Sequence, residues 1–227
     1  MDIHKPKPWH GWRELAKEVG TIVIGVLIAL GGEQAVEWAH TQGEVRGTRA
    51  ALRTDIGRSL RTLTLEARED ACWPGLLDAM EAWAKGAAPK PKWPGVLQQS
   101  LGGTAAWETA KNGAVPHMGQ EERLTFARYY YGIENQQITV YRQVLNDLEL
   151  LGYLERDSLD PQESHALIRL IGQIRANIAG ESRNIPGMLA VGRGLGAGPG
   201  PKIPAYEARI DALCEAFPRP SPVTGTR

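Results

Sequence analysis

The chain has 227 residues, with 26 Lys or Arg balanced by 26 Asp or Glu, so its formal charge is zero. That balance excludes the basic excess that draws a protein onto nucleic acid and the acidic excess of a solvating tail. Two cysteines, Cys72 and Cys214, are too few for a disulfide-built miniprotein and lack the four-ligand spacing of a zinc site.

The first element is an apolar run at residues 19–32 (VGTIVIGVLIALGG), preceded by Lys5, Lys7, Arg13 and Lys17 and followed by Glu33 and Glu37. The run alone is short for a membrane span, which needs about 20 apolar residues. Its flanks extend it. Trp9, Trp12 and Lys17 on one side and Trp38 on the other are interface anchors, and Trp12 to Trp38 reaches roughly 39 Å in a helix, close to a bilayer with its headgroups. The Lys and Arg before the run, with none between Gly32 and Val45, place the N-terminus in the cytoplasm and the rest in the periplasm. Two other readings stay open. Ala29-Leu30-Gly31 offers the small residues of a signal-peptidase site, which would release a secreted helical protein after cleavage near Gly31. A buried helix of a soluble protein is the other.

Thr21, Gly25, Ala29 and Glu33 recur every fourth residue and form a small-residue stripe suited to transmembrane association, either with a second copy or with a membrane-protein partner. The bland reading is that Gly and Ala are common in transmembrane helices.

Helical periodicity continues from Thr41 to about Asp70, where Val45, Leu52, Ile56, Leu60 and Leu63 make a core-facing stripe. The opposite face carries Arg46, Arg49, Arg53, Arg58, Arg61 and Arg68 among Glu44, Asp55, Glu66 and Glu69, and reads as solvated. Pro74-Gly75 opens a short helix with Leu76, Leu77, Met80, Trp83 and Ala84 on its apolar side, stopped by Gly86. Residues 86–95 form a proline-stiffened linker. A second short helix is expected from Thr104, as its N-cap, to Lys111, with Asn112-Gly113 as its stop.

The strongest helix of this part spans about Gln120 to Glu155, where Leu124, Ala127, Tyr131, Ile138, Tyr141, Leu145, Leu148 and Leu151 hold a helical period and are assigned to the centre of a bundle. Tyr129, Tyr130 and Tyr131 distribute rings around this helix, so at least one points away from the core and offers a partner or ligand surface; the alternative is packing against Trp83 and Trp107. Asp160-Pro161 with Glu163 starts another helix, with Leu167, Leu170, Ile171, Ile174 and Ile178 inward, ended or kinked at Pro186-Gly187. Residues 192–204 read as a flexible glycine-rich linker, since no GK[ST] closes a phosphate loop there. A last helix runs from about Ala205 to Phe217, and residues 218–227 read as a disordered tail.

In an oxidising periplasm Cys72 and Cys214 are expected to pair; two buried free thiols are the alternative. His4, His10, His40, His117 and His165 form no HxxxH or HExxH pair, and no GxSxG elbow occurs, so no catalytic residue, cofactor or metal is expected.

Two blocks carry a resemblance. The segment WHGWRELAKEVGTIVIGVLIALGGEQAVEW at residues 9–38, and Thr104, Trp107, Lys111 and Gly113 ahead of a Tyr-rich long helix, are similar to a group of uncharacterised bacterial inner-membrane proteins. The resemblance implies one N-terminal transmembrane helix, a helical periplasmic domain and no assigned activity. The resulting expectation is an all-α protein: residues 1–18 cytoplasmic, 19–40 in the bilayer, and 41–217 a periplasmic helical bundle. Its function is expected to be that of a non-enzymatic accessory, scaffold or sensor-like subunit. The runner-up is a periplasmic enzyme with a site scattered over residues such as Tyr130, His117 and Glu134.

Overall fold

A computed structural model describes residues 11–93 and 103–218. Trp9, the rest of residues 1–10, the linker end at 94–95 and the tail beyond 218 lie outside the described residues. The chain divides into two compact units, Met1–Gly47 and Thr48–Arg227. All regular structure among the described residues is helical.

Helix α1 spans Trp12–Asp70 without interruption, as the absence of proline between Pro8 and Pro74 allows. In the first unit its apolar window is long enough to cross a membrane, and none of it is buried. Ile22, Leu27 and Ile28 are 62–70% exposed.

In the second unit the expected inward stripe holds: Leu52, Ile56, Leu60 and Leu63 are buried, as is Val45 in the first. Helix α2 (Trp73–Ala84) follows with Pro74 in its first turn. Gly86, at φ +69°, ends it: Gly86 N–H donates to Trp83 and Ala87 N–H to Ala82, which satisfies two of the last carbonyls. Helix α3 is only Ala105–Ala110, and Thr104 makes no side-chain cap there, contrary to expectation. A single 3-10 turn, Val115–His117, leads into α4 (Gln120–Leu154).

The extent of α4 matches the sequence reading, but its inward face does not. Leu124, Tyr131, Ile138, Tyr141, Leu145 and Leu148, assigned to the bundle centre, are exposed. The buried side chains are Phe126, Tyr129, Tyr130, Ile133, Gln136, Val140, Gln143, Asp147 and Leu150.

Helix α5 (Pro161–Gly194) begins at the expected Asp160 cap. Asp160 Oδ1 accepts from Glu163 N–H at 2.8 Å and Glu163 Oε2 accepts from Asp160 N–H at 2.9 Å, a reciprocal capping box. Its inward stripe Leu167, Leu170, Ile171, Ile174 and Ile178 is buried as read. The helix does not stop at Pro186, which lies inside it.

The glycine-rich stretch is not a loose linker. Arg53 Nε donates to the Leu195 carbonyl at 2.8 Å, and Gly200 N–H donates to the Gly57 carbonyl at 2.7 Å, which ties the strap after α5 to α1. A Cβ on Gly57 would sit 2.6 Å from the Gly198 carbonyl oxygen, so the missing side chain is what lets the two backbones meet. Helix α6 (Pro204–Ala216) then runs along α1, held by Arg61–Glu207 and Arg68–Asp211 ion pairs and by a Cys72–Cys214 disulfide with Cα atoms 5.0 Å apart. Its Tyr206, Ile210 and Leu213 join α2 and α5 in one core with Trp73, Leu76, Met80, Leu167 and Ile174.

The strap gives two glycine substitutions opposite signs. Gly57→Ala gains helix propensity but drives Cβ into backbone, and thermal unfolding of the full chain in mild detergent is expected to show a net loss of about 1–3 kcal/mol. Gly172→Ala, with nothing within 4 Å of its Cβ, is expected to be neutral or up to about 1 kcal/mol more stable. Equal melting shifts for the two would remove the strap from the account of stability.

Candidate functional site

The chemistry-bearing groups of this chain concentrate inside the second unit. Glu66, Glu69 and Asp70 from the last turns of α1, Asp147 from α4 and Glu181 from α5 are each at most 4% exposed. Glu66 and Glu69, expected on a solvated face, are buried. The basic members of that face are largely paired: Arg49 is bidentate to Glu122, with Nε and Nη2 each 2.7 Å from a carboxylate oxygen, and Arg53, Arg61 and Arg68 hold the strap and α6.

Two buried glutamines of α4 serve the carboxylates. Gln136 Nε2 donates to Glu66 Oε1 at 2.9 Å and lies 3.5 Å from Glu181 Oε1. Gln143, with its amide nitrogen turned inward, donates to Glu181 Oε2 at 3.0 Å and Oε1 at 3.2 Å. The Tyr206 hydroxyl donates to Glu69. Asp70 Oδ2 and Asp147 Oδ1 accept no hydrogen bond among the described residues.

Burial disfavours the charged form of Glu69, Asp70, Asp147 and Glu181, and for Asp70, Asp147 and Glu181 neighbouring negative charge adds to it. Asp70 is pushed up to about 9 by burial first, then by Glu181, Glu66, Glu69 and Asp147. Asp147 is pushed up to about 8 by burial and then Glu69, and Glu181 to about 8 by burial, then Glu66, Asp147 and Glu69. Glu69 is raised by burial, with the Tyr206 hydrogen bond pulling back toward the ionised form. The cluster therefore holds protons at neutral pH that the same residues release when the chain unfolds. Strongly shifted groups of this kind concentrate at functional sites. No group of three or more His, Cys, Asp or Glu among the described residues is placed to hold a metal ion.

A groove of about 430 Å³ opens between α4 and α5, lined by Arg128, Tyr131, Gly132, Gln136, Asn184 and Met188 among others. Gln136 connects it to the cluster, since the same side chain donates to Glu66.

The residues singled out from sequence are scattered by comparison. Thr21, Gly25, Ala29 and Glu33 lie exposed on α1, with the Thr21 hydroxyl donating to the Lys17 carbonyl at 2.9 Å and open space around Gly25. Trp12 and Trp38 are 81% and 66% exposed, and Lys17 is exposed as well. Of the three tyrosines only Tyr131 is available as a surface. Tyr129 and Tyr130 are buried, so they leave the candidate partner surface; Tyr130 donates to Asp55 Oδ2 at 3.0 Å and stacks on Trp107, ring centroids 5.3 Å apart. Trp83 instead packs on the core of α2, α5 and α6. Of the scattered set, Tyr130 is buried, His117 and Glu134 are exposed, and none of the three lines the groove. The carboxylate cluster was missed, although Gln136, Gln143 and Asp147 at spacings of seven and four mark an inward polar face on α4.

Linkage fixes how stability follows pH. Glu69, Asp70, Asp147 and Glu181 have higher pKa values folded than unfolded, so the folded chain binds more protons. Their favourable contribution is complete below the ordinary carboxylate range near 4 and is lost as pH rises through about 8 to 9. Asp70→Asn or Asp147→Asn, which fixes the neutral form, is expected to raise stability at pH 7 by on the order of 2–4 kcal/mol and to flatten the decline between pH 5 and 9. Denaturant titrations across that range that show no change in slope would disprove the protonated state. No family model, curated protein or solved structure matches the chain.

Proposed function

We propose that this chain is a membrane-anchored helical protein of the bacterial inner membrane. In this reading its N-terminus is cytoplasmic, its second unit is periplasmic, and it acts as a non-enzymatic accessory, scaffold or sensor-like subunit. One observation carries the reading: the apolar window of α1 has no buried share. Exposed apolar surface costs about 25 cal/mol per Å² in water, a penalty that a bilayer removes and a soluble fold would have removed by packing.

The orientation is supported by the charge pattern, with Arg13 and Lys17 before the apolar window and no Lys or Arg from Gly32 to Val45. The Cys72–Cys214 bridge fits an oxidising compartment. The non-enzymatic part is supported by where the shifted acids lie: each is at most 4% exposed, and the groove reaches them only through the Gln136 amide. The small-residue stripe Thr21, Gly25, Ala29 and Glu33 is the surface offered within the bilayer to another transmembrane helix, of the same chain or of a membrane-protein partner.

Alkaline carbonate extraction of membranes, paired with C-terminal reporter fusions and the mature N-terminal sequence, tests the reading. The expected result is retention in the membrane pellet, an active periplasmic phosphatase fusion and a silent cytoplasmic fluorescent one, with Met1 or Asp2 at the N-terminus. Recovery in the soluble fraction with Gly32 as first residue would replace it with the secreted form.

A further inference from the structure

The exposed residues of α4 are not scattered. Leu124, Tyr131, Ile138 and Leu145 follow one another at intervals of seven, and Tyr141 and Leu148 fall three residues after Ile138 and Leu145. They fill the a positions of a coiled-coil heptad over about 25 residues, roughly 37 Å of helix, and the d positions of its second half, the first two d positions being Ala127 and Glu134. Each of the six is 48–66% exposed although the opposite face of α4 is packed in the core. A helix apolar on two faces has room for a second partner.

We propose that this stripe is an interface between two copies of the chain, the seam of one α4 lying on the seam of the other. The area fits such a partner. The six side chains offer roughly 600 Å² per copy, so a pair removes roughly 1,200 Å², the lower bound of a standard stable interface, before the flanking polar residues are counted.

The flanking charges also suit self-pairing. Arg128, Glu134, Arg142 and Glu149 border or enter the seam, are exposed, and make no ion pair within the chain among the described residues. With the two helices antiparallel about Ile138, Arg128 meets Glu149 of the second copy and Arg142 meets Glu134. With them parallel, the charged flank meets the uncharged flank of Gln137, Val144 and Leu151, and only Glu134 meets itself. Like charges are thus avoided along the flanks in both arrangements, and Glu134 favours the antiparallel one. This surface lies in the second unit and does not depend on the transmembrane stripe.

Ile138 is at the middle of the seam, so it meets its counterpart in either arrangement. The test is oxidation of full-length Ile138→Cys with copper phenanthroline in native membranes, beside Arg169→Cys on the exposed side of α5 as control. A band of twice the chain mass from Ile138→Cys and none from Arg169→Cys is expected. Native mass spectrometry in mild detergent should then show the wild type as a dimer and Ile138→Arg at least tenfold more dissociated, with unchanged helical content. Equal cross-linking at both positions, cross-linking of Ile138→Cys only to another protein, or an undiminished dimer in Ile138→Arg would overturn the proposal. The last of these would assign dimerisation to the transmembrane stripe instead. None of these outcomes bears on membrane retention, so the anchor and the interface fail separately.

Discussion

A carboxylate removed from water keeps its charge only beside a cation or several hydrogen-bond donors. Among the described residues Glu69, Asp70, Asp147 and Glu181 lie in one interior where the hydrogen bonds come from the Gln136 and Gln143 amides and the Tyr206 hydroxyl. The balance is met by protons, and that requirement reaches outward through the fold. It fixes Gln136 and Gln143 on the inward face of α4, places Tyr206 of α6 over Glu69, and makes the domain's stability a function of pH.

Helix α6 is short and could not hold its place by propensity alone. It is pinned at three places, to α1 through Arg61–Glu207 and Arg68–Asp211 and to the start of α2 through the Cys72–Cys214 bridge, with Tyr206 buried. The bridge is the strongest of the three by magnitude. Closing a segment of 142 residues removes about 5 kcal/mol of unfolded-chain freedom in the loop-entropy model, whereas a partly exposed ion pair contributes about 0.2–1 kcal/mol. The disulfide therefore keeps α6 over the acids, and the ion pairs set its register.

Much of the helical layout was legible because its signals are local. The Asp160–Glu163 capping box, Gly86 as a helix stop, the continuous α1 and the inward stripes of α1 and α5 each follow from residues within a few turns of one another. What was misread depends on partners distant in sequence. Glu66 and Glu69 share a helix with six arginines, and only the arrival of α4, α5 and α6 decides which of these charges is enclosed. The glycine-rich strap has the composition of a free linker, and its fixed course comes from Gly57, more than a hundred residues earlier. Pro186 fails to end α5 because packing on both sides of it outweighs one lost hydrogen bond.

The reversed face of α4 shows why counting apolar residues could not orient that helix. Leu124, Tyr131, Ile138, Tyr141, Leu145 and Leu148 lie outward, while Phe126, Tyr129, Tyr130, Ile133, Val140 and Leu150 lie inward, six large apolar side chains against six. At about 1.5–3 kcal/mol per buried side chain the hydrophobic terms of the two orientations nearly cancel. The polar residues break the tie. With the present face inward, Gln136 and Gln143 donate to Glu66 and Glu181; rotating the helix would remove those donors from buried acids, at about 1–3 kcal/mol or more for each group left unsatisfied. The acids thus select which face of α4 packs against its own chain, and the apolar heptad left outside is a consequence of that selection rather than a failure of burial.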